Sequence, residues 1–497
     1  MKTTTLRYHS CLWCLALSLL VLQELTRAFS IPTQRLPLVQ NLESSESFEV
    51  SDSPTTRKYR DVSHSIASKF VTRDFKPHPA LTNRHIQTIS GVYLRSLQEY
   101  KYVSDSMGLI RSVTNSVVSS VFAGNDEDDK DNIKNLLLNP DHEGFYDERQ
   151  RFETPDGDFF DVDFRYQHAS NKPSSKGMVI LLHGLQSNSQ STLSVDMATA
   201  YWNQGLDVAC MNFRGCSGEM NRKMGGYHLG FTNDVKQFLQ HLRERNNGHF
   251  PLYLSGFSLG ANVVLKTLGE LGETAHRDFN VYGAAVCGAP FDQERNVDFL
   301  QAPGFNRLVY TGTLAQSIKT RSLQQFELFK GSDEWKKIDL QQIIDAETIA
   351  DLENAVLAPI YGFDDYIDYY RKNSCLQFLD NITVPTFIIN AADDPFFDPS
   401  VFPWEKSSDF NKNSPIKMQR TDHGGHLGFM FHQEQGRNDM ERIGIPMEAS
   451  TMSKQEENAS WMPTELARFV GLVFEERAAL DEVVITSNDV VAAGNHR

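Results

Sequence analysis

Five short, almost unbroken apolar runs, Met178 to Leu182, Asp207 to Phe213, Leu252 to Leu254, Val281 to Cys287 and Pro385 to Asn390, constrain the fold of this 497-residue chain more than any other feature. A strand with water on one face alternates apolar and polar residues. A run without alternation suits a strand covered on both faces, which in globular proteins means a parallel one. Between the runs, Ser191 to Trp202, Phe231 to Arg245 and Leu259 to Leu271 carry helical spacing. Strand, helix, strand, helix predicts an α/β protein with a doubly wound, mostly parallel sheet. Upstream, Arg151 to Tyr166 reads as two extended strands around Pro155-Asp156-Gly157, an antiparallel hairpin on one sheet edge.

The rhythm breaks once. About 90 residues separate the run ending near Cys287 from the one starting at Pro385, far more than one crossover helix needs. The stretch is rich in leucine and aromatic residues, among them Phe305, Tyr310, Phe326, Trp335 and Tyr361. It reads as a helical cap over the carboxyl ends of the strands, although most of these aromatics taken singly would suit the core of extra helices. The expected organisation is a signal peptide (1–28), a transit-like or disordered segment (29–74), an N-terminal extension (75–150), a first core part (151–291), the cap insertion (292–384), a second core part (385–475) and a C-terminal tail (476–497).

The apolar run Cys11 to Leu22 has the size of a signal-peptide core and is too short to span a bilayer as a helix. The Ala28-Phe29 junction, followed by a stretch to Asn41 that holds Arg35 and no acid, resembles bipartite plastid-targeting leaders, so the expected address is the plastid. Secretion or the endomembrane system is the alternative. The acids Glu43, Glu46, Glu49 and Asp52 fit a transit peptide less well.

Charge bears on partners. With 48 Lys and Arg against 64 Asp and Glu, the net charge is −16 and no basic run occurs, which disfavours nucleic acid. The acidic run from Gly124 to Asp131 reads as a solvated loop. Six cysteines without paired CxxC spacing give little support for a zinc site, and Cys210, Cys216, Cys287 and Cys375 read as small buried hydrophobes.

Gly256-Phe257-Ser258-Leu259-Gly260 is GxSxG, placed directly between a strand pattern and a helix pattern. In such an elbow the serine hydroxyl is exposed on strained backbone, and side chains at either glycine would strike the neighbouring strand or helix. A serine needs a base to take its proton and an acid to orient that base. After the run ending at Asn390 come Asp393 and Asp394, and after Ile416 to Thr421 comes His423-Gly424-Gly425-His426. His426, behind two glycines, is the better base, with His423 the lesser candidate. Adjacent side chains at a strand end point opposite ways, so one aspartate faces the histidine, and Asp394 is chosen over Asp393. The backbone N–H of Leu259 would be one oxyanion donor, and that of Leu185, in His183-Gly184-Leu185, the second. His183 is read as shaping this loop.

Taken together, the chain resembles the α/β-hydrolase family, and within it the AB hydrolase superfamily type 4 branch, which includes abhydrolase-domain lipid hydrolases and medium-chain fatty acid ethyl ester synthase/esterases. The resemblance rests on Pro79-Ala80-Leu81-Thr82-Asn83-Arg84-His85-Ile86-Gln87-Thr88, on HGL at 183–185, NFRGCSG at 212–218, GFSLGAN at 256–262, NAADDPF at 390–396 and GGHLGF at 424–429, and covers about residues 75 to 475. Two features depart from it: the branch usually has glycines after HGL where Gln186-Ser187-Asn188-Ser189 stand here, and the cap is long. The resemblance implies an α/β-hydrolase fold and cleavage of acyl esters, often of lipids, through an acyl-serine, with no metal and no cofactor. A lipid substrate leaves room for peripheral contact between cap and membrane. Passing the acyl group to an alcohol with the same triad is the nearest rival, and a non-catalytic binding module the remote one.

Overall fold

The computed structural model describes residues 53–77, 82–96, 144–167, 175–245, 250–429 and 460–494. The segments read as signal and transit peptides up to residue 52, and the acidic run at 124–131, lie outside the described residues. Eight strands, β1 (Glu148–Glu153), β2 (Phe159–Arg165), β3 (Met178–Leu182), β4 (Asp207–Asn212), β5 (Leu252–Phe257), β6 (Val281–Cys287), β7 (Thr386–Ala391) and β8 (Ile416–Thr421), form one sheet in the order β1-β2-β4-β3-β5-β6-β7-β8. The β1–β2 hairpin is the antiparallel edge, with β2 antiparallel to β4, and every pair from β4 to β8 is parallel. This is the expected α/β-hydrolase fold.

The apolar runs are buried as their lack of alternation predicts. Val179, Ile180, Leu181 and Leu182 are fully buried, and Ile180 sits in register between Ala209 and Leu254. Each such side chain contributes about 1.5–3 kcal/mol by leaving water. Cys210, Cys216, Cys287 and Cys375 are buried in this core.

Among the described residues, nine α-helices have eight or more residues: α1 (Pro54–Lys69), α2 (Arg84–Ser96), α3 (Thr192–Asn203), α4 (Asn233–Arg245), α5 (Leu259–Leu271), α6 (Gln293–Gln301), α7 (Gly312–Leu328), α8 (Tyr366–Asn373) and α9 (Trp461–Gly494). Helix α5 packs on β5 and β3, whereas α9 packs on β6, α3 and α1. Leu259 to Gly269 of α5 are all buried, because the sheet covers one side and the turn at Cys375–Asn381 the other.

Two boundaries fall differently from the expectation. The stretch 29–74 contains α1, capped by Ser53 and burying Tyr59, Ser63, Ile66 and Ala67. That stripe is helical in period but built largely from small or polar residues, so its apolar signal is weak. The expected tail from 476 continues α9, burying Leu480 and Val483.

The insertion after β6 is helical and carries its own small core, in which Leu300, Tyr310, Phe326, Ile343 and Leu352 pack together. Its aromatics divide between that core, which holds Tyr310, Phe326 and Trp335, and the main one, which takes Phe363, Tyr369 and Tyr370. It is tied to loops at the carboxyl ends of the strands: Arg321 donates to the Arg214 carbonyl, Tyr361 to the Gly226 carbonyl, and Asn306 to the Pro395 carbonyl. Among the described residues no helix is long and apolar enough to cross a membrane.

Candidate active site

Parallel strands end on the same side, so the segments after β3, β5, β7 and β8 meet there. Ser258, between β5 and α5, has φ 55° and ψ −123°, a strained conformation for a residue with a side chain. The flanking glycines permit it. A Cβ on Gly256 would come within 2.7 Å of the Gly260 backbone, and one on Gly260 would collide with the Leu182 and His183 carbonyls. The Ser258 N–H donates to the Cys287 carbonyl at 3.0 Å, tying the elbow to β6.

Ser258 Oγ lies 3.0 Å from His426 Nε2, and His426 Nδ1 lies 2.8 Å from Asp394 Oδ2. The carboxylate faces Nδ1, so that nitrogen carries the proton and Nε2 is left to accept from the serine. Asp394 is 3% exposed, and its other oxygen accepts the Phe396 N–H at 2.8 Å. Neighbouring Asp393 turns the other way: it accepts the Gly425 N–H at 2.8 Å and faces His423 Nδ1 at 3.3 Å. Burial raises the Asp393 carboxyl above its usual range, against the lowering effect of those two contacts. The structure thus brings Ser258, Asp394 and His426 together and leaves His423 with Asp393. Phe396 stacks on the His426 ring at 4.1 Å, and Phe397 meets it edge-on at 5.1 Å.

The Leu259 N–H begins helix α5, where the dipole favours negative charge. The Leu185 N–H belongs to the loop after β3, and a Cβ on Gly184 would sit 3.3 Å from that of Ser258. His183 shapes this loop. Fully buried, it donates from Nδ1 to the Gly184 carbonyl at 2.8 Å and accepts the Phe213 N–H at Nε2 at 3.1 Å. In a trans peptide C=O and N–H point oppositely, so fixing the Gly184 carbonyl also fixes the direction of the Leu185 N–H. Burial lowers the His183 pKa to about 4, keeping it neutral with one donor and one acceptor.

Three contributors escape a reading of the sequence. Thr88, on α2, accepts the His426 backbone N–H at 2.8 Å and donates to the Arg84 carbonyl at 2.8 Å. Its only sequence signal is its place in the 79–88 motif. Asn390 pairs twice with Ala289 at 3.1 Å, joining the ends of β6 and β7. Arg214 of the NFRGCSG segment is 8% exposed and holds Asp234 and Asp156 at 2.8 Å, locking the β4 loop to the hairpin and to α4.

The family model described as Serine aminopeptidase, S33 matches residues 173–426. The chain is 35% identical over 281 residues to the protein named "Putative esterase YheT" of Escherichia coli (strain K12), covering 56% of this chain and 78% of that one. It is 24% identical to a monoacylglycerol lipase of Saccharomyces cerevisiae, covering 54% of this chain and 58% of the lipase. It is 27% identical to medium-chain fatty acid ethyl ester synthase/esterase 2 of the same yeast, covering 51% and 58%. The match therefore spans less than two thirds of either yeast protein.

Proposed function

The chain belongs to the α/β-hydrolase family described as Serine aminopeptidase, S33, and from that premise we propose that it cleaves the acyl esters of lipids through a covalent acyl-serine. It is an esterase-type hydrolase. The proposed reaction has Ser258 Oγ attack the ester carbonyl as His426 Nε2 takes the hydroxyl proton. The N–H groups of Leu259 and Leu185 hold the oxyanion, worth about 10²–10³ in kcat per donor. Collapse expels the alcohol, protonated by His426, and leaves the acyl group on Ser258. Water, deprotonated by the same nitrogen, then releases the acid. Asp394 keeps Nδ1 protonated and stabilises the imidazolium.

The observation that carries this reading is the pair of contacts, 3.0 Å from Ser258 Oγ to His426 Nε2 and 2.8 Å from His426 Nδ1 to Asp394 Oδ2. A lipid acyl group is favoured by the rings of Phe396 and Phe397 against His426 and by the names of the two yeast relatives. A fluorophosphonate probe tests the nucleophile. It should label the purified protein at Ser258, and Ser258→Ala should lose labelling and esterase activity while melting near the wild-type temperature. Unchanged labelling of that folded variant would sink the assignment.

A further inference from the structure

Gln186, the residue after the proposed oxyanion donor, has φ 55°, a left-handed conformation that residues with a Cβ rarely adopt. Something must hold it there. Its backbone N–H donates to the phenolic oxygen of Tyr227 at 2.8 Å. Tyr227 stands in the loop after β4, 41 residues further along the chain, so the bond straps one active-site loop to another.

The phenol is itself fixed. Its ring stacks on Phe213 with centroids 4.9 Å apart and planes 9° from parallel. Phe213 in turn gives its N–H to His183. On another side the guanidinium of Arg321, from cap helix α7, lies 5.8 Å from the Tyr227 ring and donates to the Arg214 carbonyl at 3.0 Å. His183 therefore fixes the peptide on the amino side of Leu185, and Tyr227 fixes the one on its carboxyl side. A residue bracketed by two fixed peptides holds its N–H in one direction. Without the phenol, Gln186 is free to relax out of the left-handed region, carrying Leu185 with it.

We infer that Tyr227 is a positioning residue: through the Gln186 N–H it holds the Leu185 amide aimed at the oxyanion. This rests on the reading of Ser258 and Leu185 given above. It also accounts for a loop that reads Gln186-Ser187-Asn188 where flexible glycines were expected, since a strap does what a glycine would do by lacking a Cβ. Tyr227 does not touch the reacting atoms, and its effect belongs to the transition state, where the oxyanion forms, rather than to substrate binding.

The test uses the full chain and a soluble p-nitrophenyl ester, with wild type, Ser258→Ala, Tyr227→Phe, Gln186→Gly and the double variant Tyr227→Phe/Gln186→Gly. Tyr227→Phe keeps the ring and loses the acceptor, so kcat should fall about tenfold or more, short of the loss of a whole donor, with KM within about twofold. The affinity for a trifluoromethyl ketone, which places an oxyanion in the site, should fall in parallel. Gln186→Gly alone should change little, and in the double variant it should restore at least part of kcat, because glycine takes φ 55° without strain. An unchanged kcat in Tyr227→Phe, a loss confined to KM, or no recovery in the double variant overturns the strap. Should Tyr227→Phe not fold, Gln186→Pro reads the same bond from its other end, since proline has no N–H and cannot take that φ; a wild-type kcat there overturns it too. Full activity of Ser258→Ala would instead overturn the site reading itself, whereas an inactive Ser258→Ala beside an unaffected Tyr227→Phe removes only the strap.

Discussion

Thr88 and His426 are 338 residues apart in sequence, and a 2.8 Å hydrogen bond joins the threonine hydroxyl to the histidine backbone N–H. Helix α2 thereby sets the height of the loop that carries the proposed base. Thr88→Val preserves shape and leaves that N–H without its acceptor, which costs about 1–3 kcal/mol when such a group is buried. The melting temperature should drop, and kcat should fall about tenfold as His426 shifts from Ser258. Thr88→Ser, which keeps the hydroxyl, should recover most of both. Equal kcat in wild type and Thr88→Val would show that the bond does not position the base.

The two aspartates after β7 should separate sharply. Asp394→Asn offers Nδ1 an amide in place of a carboxylate and favours the wrong tautomer, so kcat should fall by a factor on the order of 10⁴. Asp393→Asn keeps an oxygen for the Gly425 N–H and should be mild. Steady-state kinetics of the two variants decides, and the reverse ranking would move the acid's role to Asp393.

Acid should unfold this protein through its neutral buried histidines. Burial lowers both His183 and His276 to about 4 from an ordinary 6.5. In the unfolded chain they take up a proton from pH 6.5 downward, and in the folded one only near pH 4. Stability is therefore intact above pH 6.5 and is lost as the pH falls toward 4, at about 2 kcal/mol per residue by pH 5. Neither ring nitrogen of His276 has a hydrogen-bond partner among the described residues. Tyr59 and Tyr282 pack against its ring, and Asp481 lies 3.8 Å away. His276→Leu should narrow the gap between the melting temperatures at pH 7 and pH 5. An unchanged gap would mean that this histidine does not drive the acid transition.

Chain-length preference tests the lipid reading. Each methylene buried against apolar walls is worth about 0.8 kcal/mol, or about fourfold in kcat/KM, less what ordering the chain removes. Rates on p-nitrophenyl esters, kept below their aggregation limits, should climb from acetate through hexanoate to octanoate. A preference for acetate over octanoate would leave an esterase of small substrates.

What the sequence made legible was local. The unalternating runs announce buried parallel strands, and Ser258 declares itself because an elbow needs glycine at both Gly256 and Gly260. Asp394 and His426 follow from chain order and strand ends. Thr88 and Tyr227 were not legible, since each acts through one hydrogen bond to a residue distant in the chain, and a single long-range contact leaves no period to read. The φ of Gln186 was hidden because the usual mark of a left-handed position, glycine, is missing there. Helix α1 escaped because its buried face mixes Thr56, Ser63 and Ala67 with Tyr59 and Ile66.

The close approach of helix α2 to the histidine loop has a temporal consequence. A Cβ on Gly428 would collide with the Gln87 carbonyl, and one on Gly425 would lie 2.6 Å from the Arg84 carbonyl, so backbone meets backbone there. Contacts between such distant stretches form late, after the loop between them has closed. A chain still on the ribosome presents Ser258 well before residue 426 has been made, and helix α2 waits through most of synthesis for its partner. Helix α2 and the histidine loop thus act as a closing clasp: under the proposed mechanism, a nascent chain that has not reached residue 426 holds the proposed nucleophile without its base.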